Sequence, residues 1–431
     1  MPKKILFTGL HAHSGLSLND GLGYPQDHMT FAYENGGDAL ALTDHGHMNG
    51  LPHQVLHARK MMADGKNFKP IFGVEAYFLP SLEMWREEYE KAKNEKKIKK
   101  NDISLSIEDE KASKQKMKDI LKKRNHLILL AMNQTGLNNI FKLISESYKN
   151  ENFYRYPRID YNLLESCNSG ILATSACLGG VYAGDYWDHR DNGGVAVLDA
   201  MRRSTERMQA IFGDRWYGEL QWNNIPEQHE LNQHIIQVCK EYDVKLISTA
   251  DSHYPNPDAW KDRELYKRIG WMGKGGLPEW MSSDLPIDVE EIGYELYPKN
   301  GEQMLESYRK YSDELKVHYD DNLIKDSIER TAYIAHDRIE DFMPDNEVRL
   351  PKFIVPKGKS DVQALTEYCL AGLKKKELDK KEEYVDRLKE ELCVIRDRGF
   401  AKYFLTMHAI ADKSSSIQLT GPGRGSAAGS L

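Results

Sequence analysis

Five short apolar runs in this 431-residue chain each lead into a residue type that binds metal ions. ILFTGL leads to His11 and His13, DALALT to Asp44 and His45, and PIFGV to Glu75. GILATSA leads to Cys177, and VKLISTA to Asp251 and His253. Such runs of Ile, Leu, Val, Phe and Thr read as buried strands. When buried parallel strands all end in polar chemistry, their carboxyl ends meet at one mouth, as in a (β/α) barrel. A sixth run, LILLA, is preceded by His126 rather than followed by it, so its strand must run or bend differently to join.

The order of elements supports a barrel. KILFTGL, DALALTDH and PIFGVEAYF read as strands, with helices at HMTFAYENGG and HQVLHARKMMA between them. This β, α, β, α alternation predicts a parallel sheet. Residues 81–125 interrupt it with Lys- and Glu-dense sequence, read as an exposed, charged helical insertion. HLILLAM, GILATSACLGG, RWYGELQW and VKLISTADSHY resume the strand pattern as far as about residue 285. EQMLESYRKYSDELK and LIKDSIERTAYIAHDRI read as helices, and LPKFIVP as a connector. Ser360 and Gln363 form a capping box for a further helix. Val385, Leu388, Leu392 and Ile395 make one stripe on another, which stops at Gly399.

Composition narrows the class. At 40% hydrophobic the chain can bury sizeable cores in two or three domains. A net charge of −7 excludes an overall basic grip on nucleic acid, though not a local one. Five scattered cysteines with no CxxC argue against a disulfide scaffold and for a reducing cytoplasm. No run is long enough for a membrane helix, and MPKKILFTGLHAH is too short in apolar residues for a signal peptide. A soluble cytoplasmic protein is expected.

His11 and His13 stand two apart on a strand and so point to one face. Asp251 and His253 repeat that spacing, and Asp20 follows in the next loop after His13. Imidazoles mixed with carboxylates suit Zn, Mn or Fe. A lone HxH is more often a hydrogen-bonded pair, and a lone Cys177 a small core residue; agreement at several strand ends favours a shared centre. Neighbouring cations lower the pKa of a bridging water and hold a phosphoryl oxygen, so phosphate-ester hydrolysis is the expected reaction. Asp44 is placed behind the imidazoles as an orienting carboxylate. His47, His53 and His57 read as loop or helix-surface residues.

These residues resemble the PHP (polymerase and histidinol phosphatase) superfamily, which has a distorted (β/α)7 barrel and a trinuclear metal site. SLSLNDGLG, ALTDHGHMNG, GVEAYF, HLILLAMNQTGLNNI, SACLGG and TADSHY are similar to the PHP domain of bacterial replicative DNA polymerase III alpha subunits, the C family. LPKF, RGFAKYFL and GPGRGSAAGSL are similar to the start of that family's palm. The resemblance implies a PHP phosphoesterase domain over 1–285, with the insertion at 81–125, and an incomplete palm over 286–431. It implies nine metal ligands: His11, His13, Asp20, His45, Glu75, His126, Cys177, Asp251 and His253. Among them, His11, His13, Asp251 and His253 carry the catalytic assignment. The implied cofactors are two or three Zn or Mn ions, and the implied activity is 3′–5′ exonuclease proofreading. DNA, at a 3′ end or a primer–template, is the implied partner, with other replisome subunits.

GPGRGSAAGSL allows close backbone approach to an anion, and Arg424 can fork onto phosphate oxygens. By resemblance, Arg424, Gly425 and Ser426 bind the triphosphate of the incoming dNTP. The palm's carboxylates, which would hold Mg for polymerisation in the complete enzyme, are expected beyond Leu431. The chain alone is therefore expected not to extend a primer. A second polypeptide is expected to carry the rest of the polymerase, as in a split or phage-encoded gene; a trans-splicing junction or an artificial boundary would look the same. Two other functions fit the metal residues. One is a free-standing phosphatase for small esters, which has no need of GPGRGS. The other is a structural metal module that docks a separate proofreading subunit. Lys and Arg within 96–124, and the aromatics of NFYRYPRIDY, are the DNA-contact candidates, with no single residue assigned.

Overall fold

Each β-branched run forms its strand because its two faces bury against different layers. The computed structural model describes residues 4–100, 115, 117–272, 294–345, 347, 353–355, 357–419, 421 and 430–431. The strands are β1 (Ala39–Leu42), β2 (Lys69–Phe78), β3 (Asn125–Ala131), β4 (Phe153–Tyr154), β5 (Tyr156–Ile159), β6 (Ile171–Thr174), β7 (Trp216–Gln221) and β8 (Lys245–Thr249). They run in the order β4-β5-β2-β3-β6-β7-β8, with β1 also beside β2. Residues 9–13 close the ring. Gly9 bridges to Leu40, and Ala12 to Ser252 just past β8. The result is a distorted seven-stave barrel made of 9–13, β1, β2, β3, β6, β7 and β8.

The sheet is not all parallel, as the place of His126 before its run required: β3 lies antiparallel to both β2 and β6. That reversal brings His126, at the beginning of β3, to the mouth where the other strands end. The ILFTGL run is not a regular strand either. Its segment is held by single bridges and by backbone bonds such as Ala41 N–H to Gly9 C=O at 2.8 Å.

Alternation along the staves separates two layers. Leu10, Ala41, Ile71, Ile128, Leu130, Leu172, Tyr217 and Ile247 cluster together, with every stave contributing. Their neighbours of opposite parity, such as Phe72, Val74, Leu127, Leu129 and Leu246, pack in a second and larger cluster with helix residues Leu137, Ile140, Met208 and Ile235. Parity then places chemistry. Glu75, His126 and Glu219 share the inner face with Ile71, Ile128 and Tyr217, and they sit at the mouth end of their strands.

The charged insertion is less exposed than its composition suggests. Its helix Leu82–Lys100 and the returning residues 117–122 bury Leu82, Trp85, Ala92, Ile120 and Leu121 in a cluster of their own. The Trp85 indole N–H donates to Ile120 C=O at 2.8 Å. NFYRYPRIDY forms the β4–β5 hairpin, in which Arg158 and Ile159 are buried.

The chain divides into units Met1–Pro344 and Asp345–Leu431. The boundary expected near residue 285 lies outside the described residues. Helices Gly301–Glu314 and Asp321–Tyr333 belong to the first unit. The second holds helices Asp361–Lys375, Glu382–Asp397 and Ala401–Ile417. The Ser360–Gln363 capping box is present, and Leu392 and Ile395 pack on the cluster of Ala364, Leu365, Ala401 and Leu405. Helix Ala401–Ile417 was not read from sequence. Arg424, Gly425 and Ser426 lie outside the described residues. No described helix is long and apolar enough to cross a membrane.

Candidate metal centre

All nine residues expected as ligands converge at the barrel mouth, and Glu75 is their hub. Its side chain is fully buried. Oε2 lies 2.6 Å from His45 Nδ1 and 3.1 Å from His13 Nε2. Oε1 lies 2.7 Å from His126 Nδ1, 3.7 Å from His11 Nε2 and 3.8 Å from Cys177 Sγ. Asp251 Oδ1 lies 3.1 Å from His11 Nε2, 3.6 Å from His13 Nε2 and 3.4 Å from His253 Nδ1. Asp20 Oδ2 reaches His45 Nε2 at 3.0 Å and His253 Nε2 at 3.3 Å.

The loops that present these groups are locally strained. Asn19, Ala176 and Asp251 adopt positive φ of 63°, 59° and 49°. Each non-glycine residue in that region costs on the order of 1–3 kcal/mol and persists where the surroundings enforce it. Here all three sit on or beside ligand positions. Gly21 lets the Asp20 loop close, since a Cβ there would lie 2.1 Å from the Ser14 carbonyl oxygen.

Burial and charge oppose each other throughout the cluster. Burial works against a charged His11, but Asp251 and Glu219 outweigh it and raise its pKa to about 10. Burial, with His45 and His253 nearby, holds His13 well below the usual histidine range. Burial also opposes a charged His45, yet Glu75 and Asp20 lift it well above that range. Glu75 is buried too, and His126, His45 and His13 nonetheless hold its carboxyl well down. Burial, then Glu75 and Asp251, push the Cys177 thiol well up.

The donor set fits divalent ions on two grounds. First, His45 Nδ1, Glu75 Oε2 and Asp251 Oδ1 are buried and make no well-directed hydrogen bond, although His45 Nδ1 and Glu75 Oε2 lie 2.6 Å apart and Asp251 Oδ1 lies 3.1 Å from His11 Nε2. Leaving such atoms unmatched is costly unless something else binds them. Second, three donor groups each lie within 4.8 Å: His13–His45–His253, His11–His13–Glu75 and His45–Glu75–His126. Imidazole, carboxylate and thiol together suit Zn, Mn or Fe.

Three supporting residues escaped the sequence reading. Glu219 accepts from His11 Nδ1–H at 2.7 Å and from the Thr174 and Thr249 hydroxyls. A lone Glu inside WYGELQW was its one visible signal, because a buried carboxylate needs partners. Arg263, on helix Trp260–Met272, donates Nε–H to Asp20 C=O at 2.8 Å and an Nη2–H to Asp20 Oδ1 at 2.6 Å. Nothing in the local sequence marked it. Ser17 donates to Asp44 at 2.7 Å and stands 3.3 Å from His13 Nδ1. Asp44 therefore does not orient an imidazole directly. It accepts from Ser14 N–H, Ser14 Oγ–H and Ser17 Oγ–H and so fixes the loop. His47 bonds to Leu16 C=O and His57 to the Thr30 hydroxyl, outside the cluster.

A family model described as the PHP domain matches residues 9–223, and one described as the bacterial DNA polymerase III alpha NTPase domain matches residues 363–431. The chain belongs to the DNA polymerase III alpha family. Within that family, the DNA polymerase III subunit alpha of Aquifex aeolicus (strain VF5) is 34% identical over 439 residues, covering 99% of this chain and 33% of the relative. That of Campylobacter jejuni is 29% identical over 451 residues, with the same two coverages. The chain thus spans about a third of the length of the curated relatives it matches. A solved amidohydrolase from Chromobacterium violaceum overlays 60% of this chain and 96% of its own at 15% identity, with a TM-score of 0.30, too low to build on.

Proposed function

We propose that this chain is the N-terminal portion of a DNA polymerase III alpha subunit and that its PHP barrel hydrolyses phosphodiester bonds at DNA 3′ ends. The convergence of nine candidate ligands on one mouth, with five of them facing the buried Glu75, carries this reading. His11, His13, Asp20, His45, Glu75, His126, Cys177, Asp251 and His253 would hold two or three ions, Zn or Mn by their chemistry. Bound there, the ions would activate a water and neutralise charge on a phosphoryl group. The protein's own share is positioning. Glu219 fixes the His11 ring through Nδ1 and leaves Nε2 for the centre. The barrel wall excludes bulk water from Glu75 and His13, which strengthens every charge interaction there. Arg424, Gly425 and Ser426 are assigned to nucleotide phosphates in the assembled polymerase, with DNA and replisome subunits as partners.

A 5′-labelled single strand tests the reading. Incubation with Mn or Zn should give a ladder of 3′-shortened products, and EDTA should stop it. His13→Ala and Asp251→Asn should each abolish the ladder while the circular dichroism spectrum is unchanged. A metal-loaded parent that leaves the strand intact would favour the structural module. Preference for p-nitrophenyl phosphate over the strand would favour the small-ester phosphatase.

Arg263 supplies a narrower check. It ties down one oxygen of Asp20 and leaves Oδ2 facing His45 and His253. Arg263→Met should weaken the ion held there about 10–100-fold, the usual cost of removing an outer partner of a ligand. Calorimetric titration with Mn should show one weakened site and the others intact. Uniform weakening, or none, would contradict this role.

A further inference from the structure

A cleft of about 860 Å³ opens beside the metal centre and shares a wall with it. Its size lies within the roughly 300–1,000 Å³ of pockets that hold small ligands. Lys122, Lys123, Arg124, Gly179 and Trp187 line it. Two contacts join it to the centre. Gly179 accepts from His126 N–H at 2.7 Å, and a Cβ on Gly179 would stand 3.2 Å from the His126 ring. Arg124 lies 3.8 Å over the Tyr156 ring and 5.2 Å over Tyr77, whose own ring stacks on His45 at 6.0 Å. The wall of the cleft therefore backs onto His126 through Gly179 and reaches His45 through Arg124 and Tyr77.

We infer that this cleft receives the single strand whose 3′ end is cut, with Lys122, Lys123 and Arg124 on its phosphates and Trp187 against a base. The inference rests on the exonuclease reading. Acidic residues also line the cleft, but Asp188 faces Lys123 at 3.9 Å and Asp119 accepts from Gln115 at 2.7 Å. Glu88 is the third. Among the described residues no carboxylate pairs with Lys122 or Arg124, and Arg124 Nε is buried without a hydrogen-bond partner. Three consecutive cations thus end two positions before His126, and of the Arg124 guanidinium one N–H is given to Lys122 C=O at 3.0 Å. Trp187 is 43% exposed, and its indole N–H is anchored on Leu178 C=O at 3.0 Å. A fixed, partly open ring beside cations is what sequence-independent single-strand binding requires.

The test compares substrates of two lengths. For the parent protein with Mn, kcat/KM on a 5′-labelled 12-mer is divided by that on a dinucleotide. The double variant Lys122→Glu/Lys123→Glu and the single variant Trp187→Ala should each lower this ratio about tenfold. Lys60→Glu, on helix Leu51–Ala63 and not among the residues lining the cleft, should leave it unchanged. In EDTA, anisotropy of the labelled 12-mer should show a salt slope reduced by about 0.7 for each lost phosphate contact. If the parent shortens the strand and the variants keep its ratio and salt slope, the cleft assignment is wrong and the exonuclease reading stands. If the strand binds through these residues but is never cut, the cleft stands and the exonuclease reading falls. A parent that neither binds nor cuts the strand overturns both.

Discussion

Glu75→Gln should lower hydrolysis of a DNA 3′ end by at least ~10³-fold, because metal-assisted charge stabilisation is worth several kcal/mol and each 1.36 kcal/mol is a factor of ten. The two Glu75 oxygens face His11, His13, His45, His126 and Cys177, all within 3.8 Å. The amide keeps the shape and the packing but loses the negative charge and one acceptor. The neighbouring imidazoles then lose the anion that opposes their burial. Elemental analysis of the purified variant should show fewer ions per chain than the parent. Added Mn should raise the melting temperature of the parent and not of the variant, since a ligand stabilises only the state that binds it. Retention of activity within tenfold, at the parent's metal content, would remove Glu75 from the centre.

The cluster was legible in the sequence because candidate ligands announce themselves twice, by residue type and by place. His11, His13, Glu75, Cys177, Asp251 and His253 each follow an apolar run, and strand ends are where a barrel builds its mouth. His126 broke that rule, and the reason is topological. β3 runs against its neighbours, so its first residues meet the others' last. The direction of one strand against distant neighbours leaves no trace in its own residues, so the place of His126 showed that its strand must run or bend differently but not which. The ILFTGL run did mislead. Its Ile5, Phe7 and Leu10 are buried, but Leu6 is exposed and single bridges replace a ladder. The supporting shell was least visible. Arg263 stands 243 positions from Asp20, and an Arg inside WKDRELYKRIGWM looks like any helix-surface cation. Its near-complete burial is a property of the packed fold alone.

Arg158 shows the same limit at larger energetic scale, and its replacement should be the most destabilising single change outside the centre. Charged-residue density made the insertion look like a solvated appendage. Instead the Arg158 guanidinium, with no exposed surface, donates to the carbonyls of Lys123 at 3.1 Å and of Tyr154 and Tyr156 at 3.0 Å, and to that of Leu121. It also lies 4.6 Å over the Trp85 ring. Burial lowers its pKa to about 10, so it stays charged at neutral pH, and the four carbonyls are its counter-dipoles. Replacing both partners of a buried polar contact by apolar groups can be neutral. Here the carbonyls cannot be replaced, because they belong to the backbone of the insertion's return and of the β4–β5 hairpin. Arg158→Met should therefore cost on the order of 3 kcal/mol, since each buried acceptor left without its donor costs about 1–3 kcal/mol. Arg158→Lys should recover little, since one ammonium on a flexible stem lacks the planar fork that spans several acceptors. Urea unfolding of both variants against the parent measures this directly. A midpoint shift worth less than about 1 kcal/mol, the size of one ordinary hydrogen bond, would mean the insertion is held by its apolar cluster instead. The same residue fixes the backbone at Lys123, so a true loss of the clip should also blunt single-strand binding in the neighbouring cleft while the metal content stays unchanged.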